Sequence, residues 1–523
     1  MLTAPASSTS STSSTDPTLP TRPTRPTRPT RPTRPGCPTS PQSTQAGRAR
    51  RPFDALSWPA QTLLIAAIAW GTFAFGGVYP WAHWPLVAAV LAVALLSFLA
   101  TPASARSSLH LGPLPGTLTL FAGAAALQLV PLPFEWLQTA SPHAPDVVRA
   151  LDLALLAHPD RHPLSIAPPL TAIGLTLFAS FALLVVGTAR LSTMRGARGL
   201  AHAIASIGVL LAMAGIIQKP LFTGKIYGFW TPEMTGEPFG PFVNKNHFAG
   251  WMVMALPLTL GLLCGGIARG MRHVKPDVRD RLLWLSSPEA NRLVLLAVAS
   301  AVMALALVLT MSRSGISATM LALALTSVVA SRRLGTRTRR TIVTGYLVFM
   351  VVVVAAWVGV DTIGTRFASA DWSELNGRRG AWADAAGIAS KFPLTGTGLN
   401  TYGVATLFYQ HHDLAYHYAE AHNDYLQLAA EGGLLLIVPA VLCVAALGAV
   451  VWKRFKEETS SSSYWVRVGA VTGLAAIALQ ETVEFSLQMS GNAALFAVLC
   501  GIALHGSPER AALPASKSPN RPN

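Results

Sequence analysis

Arg313 lies in Met311-Ser312-Arg313-Ser314-Gly315, between two apolar runs. A guanidinium at a membrane boundary is costly unless it faces protein, water or an anion. Two uses fit: the side chain snorkels to lipid headgroups, or its rigid fork clamps phosphate oxygens. A second basic pair follows in Asn376-Gly377-Arg378-Arg379-Gly380-Ala381-Trp382, and two positive sites on one face suit a pyrophosphate. Next comes His422, within Glu420-Ala421-His422-Asn423-Asp424-Tyr425. Asn423 or Asp424 can cap a short amphipathic helix that Gly432 and Gly433 end, which puts His422 at a helix start near the membrane surface. Imidazole titrates near working pH, so His422 can act as general base toward a hydroxyl; it can also simply hydrogen-bond its own loop. Asp424 and Glu431 can orient the histidine or bind hydroxyl groups, and capping and solvation explain both as easily.

Three further groups complete the inventory. Asn244, Lys245, Asn246 and His247 stand directly before an apolar run, as ligands for an anion or as ordinary helix capping with Lys245 reaching the interface. His411, His412, His417 and His422, with Asp413 and Glu420, match no familiar zinc spacing; arginines can neutralise a pyrophosphate leaving group instead, so neither metal nor cofactor is expected. Gly396-Thr397-Gly398 reads as a turn, because no strand–turn–helix of a nucleotide fold surrounds it.

These residues must be positioned by membrane helices. Only 12% of the 523 residues are charged and 51% are hydrophobic, against about 25% charged in soluble domains; mean hydropathy is +0.42. Runs long enough to cross about 30 Å of hydrocarbon recur near 60–79, 84–100, 112–133, 167–189, 199–218, 247–268, 293–311, 315–330, 341–360, 433–452, 466–485 and 492–506. The expectation is an all-α polytopic protein of about 12 transmembrane helices with a large, partly helical extracytoplasmic loop, 361–432. A net charge of +16 would suggest nucleic acid in a soluble protein. Here no nucleic-acid motif accompanies it, and the excess sits in short loops such as Arg190, Arg195, Arg198 and Arg332 to Arg340, where it fixes orientation with those loops cytoplasmic. The segments 134–166, 219–246, 312–315 and 361–432 then face outward. Residues 1–52, with five Thr-Arg-Pro units from Thr21 to Pro35, are expected to be a disordered cytoplasmic tail that leaves the first helix uncleaved, residues 53–507 the membrane domain, and 508–523 a second tail. Cys264, Cys443 and Cys500 lie in apolar runs and Cys37 in the tail, which suggests no disulfide framework.

Phe242-Val243-Asn244-Lys245-Asn246-His247-Phe248-Ala249, Ser312-Arg313-Ser314-Gly315, Gly377-Arg378 with Trp382, the Pro393 to Tyr402 piece and His422-Asn423-Asp424-Tyr425-Leu426-Gln427, in this order, resemble the motif series of the O-antigen ligase and polysaccharide polymerase superfamily. Leu127 to Pro133 and Pro163 to Pro168 are similar to segments flanking that family's first outer loop, so the likeness covers about residues 60 to 505. The resemblance implies a metal-independent, inverting membrane glycosyltransferase in the bacterial inner membrane, its active site facing the periplasm. Its donor would be a glycan on undecaprenyl pyrophosphate and its acceptor a hydroxyl of lipid A core or growing polysaccharide. Arg313 and Arg378 match the family's essential arginines and His422 its catalytic histidine; Asn244, Lys245, Asn246, His247, Arg379, Asn423 and Asp424 are expected to bind substrate. Gln480 and Glu484 stand where many relatives have His and Asp, a departure in which Glu484 keeps the negative charge. An O-antigen or exopolysaccharide polymerase of the same superfamily is the alternative. A lipid-linked glycan transporter is the alternative of another class, although no inverted repeat is evident and the titratable groups gather in one outer loop.

Overall fold

Apolar runs of this length must satisfy their backbone internally in lipid, and they do so as helices. A computed structural model describes residues 52–101, 110–151, 160–233, 236–270, 279, 286–333, 337, 340–341, 343–348 and 372–506, all within the unit Arg50–Asn523. The helices are α1 (Pro52–Phe73), α2 (Pro80–Ala100), α3 (Leu114–Leu127), α4 (Phe134–Ala140), α5 (Ala144–Leu151), α6 (Pro168–Arg195), α7 (Ala197–Leu221) and α8 (Lys245–Gly270). They continue with α9 (Pro288–Leu309), α10 (Arg313–Arg333), α11 (Trp372–Lys391), α12 (Tyr402–Tyr409), α13 (Asp424–Glu457), α14 (Ser461–Gln480) and α15 (Ser490–Leu504). Among the described residues the named strands are one antiparallel pair, β1 (Leu132–Pro133) with β2 (Arg161–His162).

The apolar runs read from the sequence fall on α1–α3, α6–α10 and α13–α15, while most of 341–360 lies outside the described residues. Among those residues seven helices, α2, α6, α7, α8, α9, α13 and α14, are long and apolar enough to cross a membrane; α3, α10 and α15 are shorter apolar helices. The chain is therefore an all-α membrane protein. The expected tails, up to residue 51 and from 508, lie outside the described residues, as do 361–371 of the long loop.

Helix α8 is the axis of the bundle: 94% of its most apolar stretch is buried, against 33% for α2, α6 and α9. In lipid no hydrophobic force pulls helices together, so close backbone approach has to supply dispersion contact. Glycines permit it along the α8–α14 seam. A Cβ on Gly261 would meet the Trp465 carbonyl at 2.4 Å, one on Gly469 the Pro257 carbonyl at 2.5 Å, and one on Gly473 the Met254 carbonyl at 2.6 Å. This seam fixes the first residues of α8, Asn246 and His247 included, against the end of α14.

A kink in α13 fixes the long loop. The sequence suggests a short helix ended by Gly432 and Gly433; instead the helix continues to Glu457 and bends at Gly433, whose φ is 52°. The bend frees backbone groups that the 393–398 turn then pairs. Thr397 and Gly398 N–H donate to the Ala430 and Glu431 carbonyls (3.0 and 2.9 Å), and Leu434 and Leu435 N–H donate to those of Pro393 and Leu394 (2.8 and 2.9 Å). The Gly396-Thr397-Gly398 amides are thus spent on packing the loop. Gln128, fully buried at the end of α3, completes the joint: its amide donates to the Thr395 and Glu431 carbonyls (2.8 and 3.0 Å) and accepts from Leu399 N–H (2.9 Å).

Candidate active site

Arg378, on the first turns of α11, is held by a residue more than a hundred positions away. Its Nη2 donates to Glu484 Oε1 at 2.7 Å, and Ser314 Oγ donates to the same oxygen at 3.4 Å. Glu484 sits in the connection between α14 and α15 with its side chain 1% exposed. Its Oε2 is buried without a hydrogen bond, the Asn246 amide beside the carboxyl notwithstanding. Burial pushes the Glu484 carboxyl above the ordinary carboxylate range, and the Arg378 guanidinium pulls against that shift. Arg313 is the first residue of α10, next to Ser314, and is half-buried. The two arginine motifs therefore meet at one buried carboxylate.

His422 belongs to the same cluster. It precedes α13 in a backbone conformation with φ 50°, a strained state for a residue with a Cβ, of the kind functional sites hold. Trp382 Nε1, one turn along α11 from Arg378, donates to the His422 carbonyl at 3.2 Å. The imidazole stands edge-on to Phe485, centroids 4.8 Å apart, and Phe485 meets the His247 ring in the same way at 4.7 Å. His422 Nδ1 and His247 Nε2 are both buried without a hydrogen bond. Burial, and then the Arg378 charge, bring the His422 pKa down to about 4, so the imidazole is neutral and able to accept a proton.

The remaining sequence candidates divide. Asn423 is the N-cap of α13: its Oδ1 accepts from Tyr425 and Leu426 N–H (3.1 Å each), and its Nδ2 donates to the Thr482 carbonyl (2.8 Å). Asp424 Oδ1 accepts from Gln488 at 2.8 Å. Burial, and then Asp424, push the neighbouring Glu481 carboxyl well above the ordinary range. Asn246 is tied in through its carbonyl, which accepts from Gln480 at 3.1 Å and Ser486 at 3.3 Å, and the His247 carbonyl accepts from Asn492 at 2.9 Å. Asn244 caps α8, its Oδ1 accepting from Asn246 N–H at 2.8 Å. Lys245 points elsewhere and pairs with Glu237, and Arg379 is exposed.

Glu431, read as a possible partner for the histidine, instead accepts from Asn400 N–H (2.7 Å), Tyr402 N–H (3.1 Å) and Gln427 (3.1 Å), capping α12. His412 Nδ1 pairs with Asp384 at 2.7 Å and His417 Nε2 with the Gly403 carbonyl at 2.8 Å. Among the described residues no three His, Cys, Asp or Glu side chains converge as a metal would need. Sequence reasoning missed Phe485 and Asn492, and it left Glu484 without a partner. An acid directly beside an apolar run was the available signal.

None of the curated proteins matches the chain. Residues 298–441 match the family described as O-Antigen ligase, a stretch that contains Arg313, Arg378 and His422. The match lies within a chain whose several apolar helices mark it as a membrane protein. The resemblance read from the motifs thus holds, and across residues 298–441 the chain carries the O-antigen ligase domain of that superfamily.

Proposed function

We propose that this protein transfers a glycan from undecaprenyl pyrophosphate to an acceptor hydroxyl, without a metal and with inversion, at the extracytoplasmic face of a bacterial inner membrane that it crosses with about twelve helices. One observation carries the reading: the neutral, half-buried His422 shares a site with Arg378, and the Glu484 that holds Arg378 also meets the first turn of α10, which Arg313 opens. The acceptor oxygen attacks the anomeric carbon and the bond to the diphosphate oxygen breaks. The bonding pair leaves on the diphosphate, and the hydroxyl proton passes to the His422 imidazole. Arg378 commits one nitrogen to Glu484 and keeps its other donors for phosphate oxygens, with Arg313 as the second cation. Donor binding also readies the base. The Arg378 charge depresses His422 basicity, and a diphosphate on that guanidinium cancels the field, so the imidazole becomes the stronger base once the donor is seated.

The acceptor is a lipid A core sugar in the ligase reading and a growing polysaccharide in the polymerase reading; the donor chemistry is common to both. The test is a reaction in detergent, where vectorial transport has no readout: purified protein, an undecaprenyl pyrophosphate-linked glycan and each candidate acceptor, with and without EDTA. Glycan should appear on one acceptor with one undecaprenyl pyrophosphate released per transfer, EDTA making no difference. No transfer to any acceptor would overturn the proposal in favour of transport, and loss of activity in EDTA would overturn its metal-free chemistry.

A further inference from the structure

Lys245 lines a cavity of about 290 Å³ between α7, α8 and the α9–α10 turn, together with Lys219, Glu237, Leu309 and Met311. Arg378, His422 and Glu484 do not line it. Lys219 closes the end of α9, its Nζ donating to the Leu309 carbonyl, and it lies close enough to Lys245 for the two charges to act on each other. Two cations therefore face one carboxylate, that of Glu237, on a side chain 71% exposed where Lys245 is only 16% exposed. Lys219 is exposed and Lys245 largely covered; like charges held this close repel, and a second anion relieves that repulsion and the poor hydration of Lys245. The wall also reaches the first site: Met311, at φ 55°, stands two residues before Arg313.

We propose that this cavity is a second phosphate-binding subsite, in which Lys219 and Lys245 bind the oxygens of a phosphate ester that displaces the Glu237 carboxylate. The proposal rests on the transfer reaction above. The ester belongs either to the donor's diphosphate or to a phosphate on the acceptor glycan, and the same chemistry recognises both.

Steady-state transfer at low salt, with donor and acceptor varied separately, distinguishes the sources. Replacing both lysines with alanine should raise one KM about tenfold while kcat stays within about twofold. A rise in donor KM assigns the subsite to the diphosphate; a rise in acceptor KM that vanishes with a dephosphorylated acceptor assigns it to the acceptor. Glu237→Gln removes the competing carboxylate and should lower that same KM, whereas a merely structural ion pair predicts that it behaves like the lysine variant. Unchanged KM values in the lysine variant, or a Glu237→Gln variant with a raised KM, overturn the subsite and leave the transfer reaction standing. Should the protein transfer nothing, calorimetric titration with inorganic pyrophosphate decides independently. Loss of one binding site in the double variant, with any binding at the arginines retained, supports the subsite, and equal stoichiometry and affinity in both proteins overturn it.

Discussion

Arg378→Ala separates what the arginine does for the fold from what it does for the substrate. Glu484 is almost wholly buried, and Arg378 is its ionic partner. Leaving a buried charge unpaired costs about 3–5 kcal/mol, but the carboxyl can take up a proton instead, and that sets a ceiling. A folded state that needs a neutral glutamic acid loses about 1.4 kcal/mol for each pH unit above the unfolded carboxyl's value of about 4.3. The penalty from this source is therefore at most about 3.7 kcal/mol at pH 7 and about 1 kcal/mol at pH 5. Its sign is fixed: the unfolded chain ionises freely as pH rises, the variant's folded carboxyl does not, and stability falls toward high pH. Arg378→Ala/Glu484→Gln has no charge to strand and should regain most of the loss at pH 7. Melting in detergent at pH 5 and pH 7 for the wild type and the two variants reads this directly. Equal destabilisation of Arg378→Ala at both pH values, or a double variant no more stable than the single one, would refute the argument. The double variant should nevertheless remain inactive, because the guanidinium it lacks is the one assigned to the diphosphate.

Three further outcomes follow from the geometry. The acid limb of kcat/KM, which reports the free protein, should lie well below the ordinary imidazole value, because His422 titrates at about 4; in Arg378→Gln the limb of the residual activity should move to higher pH, since a depressing charge is gone. Gln128→Ala strips a buried amide from two carbonyls and one N–H and should cost about 2–4 kcal/mol, read as a lowered melting temperature. Gly396→Ala should give little or no folded protein on size exclusion, because Gly396 has φ 65° and an added Cβ would stand 2.1 Å from the Glu431 carbonyl oxygen, a backbone atom that cannot turn aside.

The helices were legible because lipid leaves the backbone no other way to pair its groups, so hydropathy alone located α6 to α9. Helix starts were legible where a cap is local: Asn423 and Asn244 each accept from amides two or three residues on. The site was legible as residue types. Arg313 stood out as a costly side chain at a membrane boundary, Arg378 as half of a basic pair in the long outer loop, and His422 as a titratable ring at a helix start. What could not be read was the partner of each. Glu484 holds Arg378 across 106 positions, and Gln128 reaches Glu431 across 303; no periodicity encodes such pairs. The Gly432–Gly433 pair misled for a related reason. Glycine after a helical run usually marks an end, and here the 393–398 turn supplies the missing hydrogen bonds and lets the helix continue through a bend. Lys245 and Asn246 are adjacent in sequence, yet successive helical residues point about 100° apart, so one faces Glu484 and the other a separate cavity.

Transfer of a defined undecaprenyl pyrophosphate-linked glycan by purified His422→Ala and Arg313→Ala proteins, each shown to be folded, bears most directly on the chemistry assigned to this cluster. Loss of the general base should slow transfer by about 10²–10⁴-fold without abolishing donor binding, and loss of Arg313 should weaken both donor binding and turnover. Wild-type rates in both variants would contradict the account whatever the acceptor proves to be.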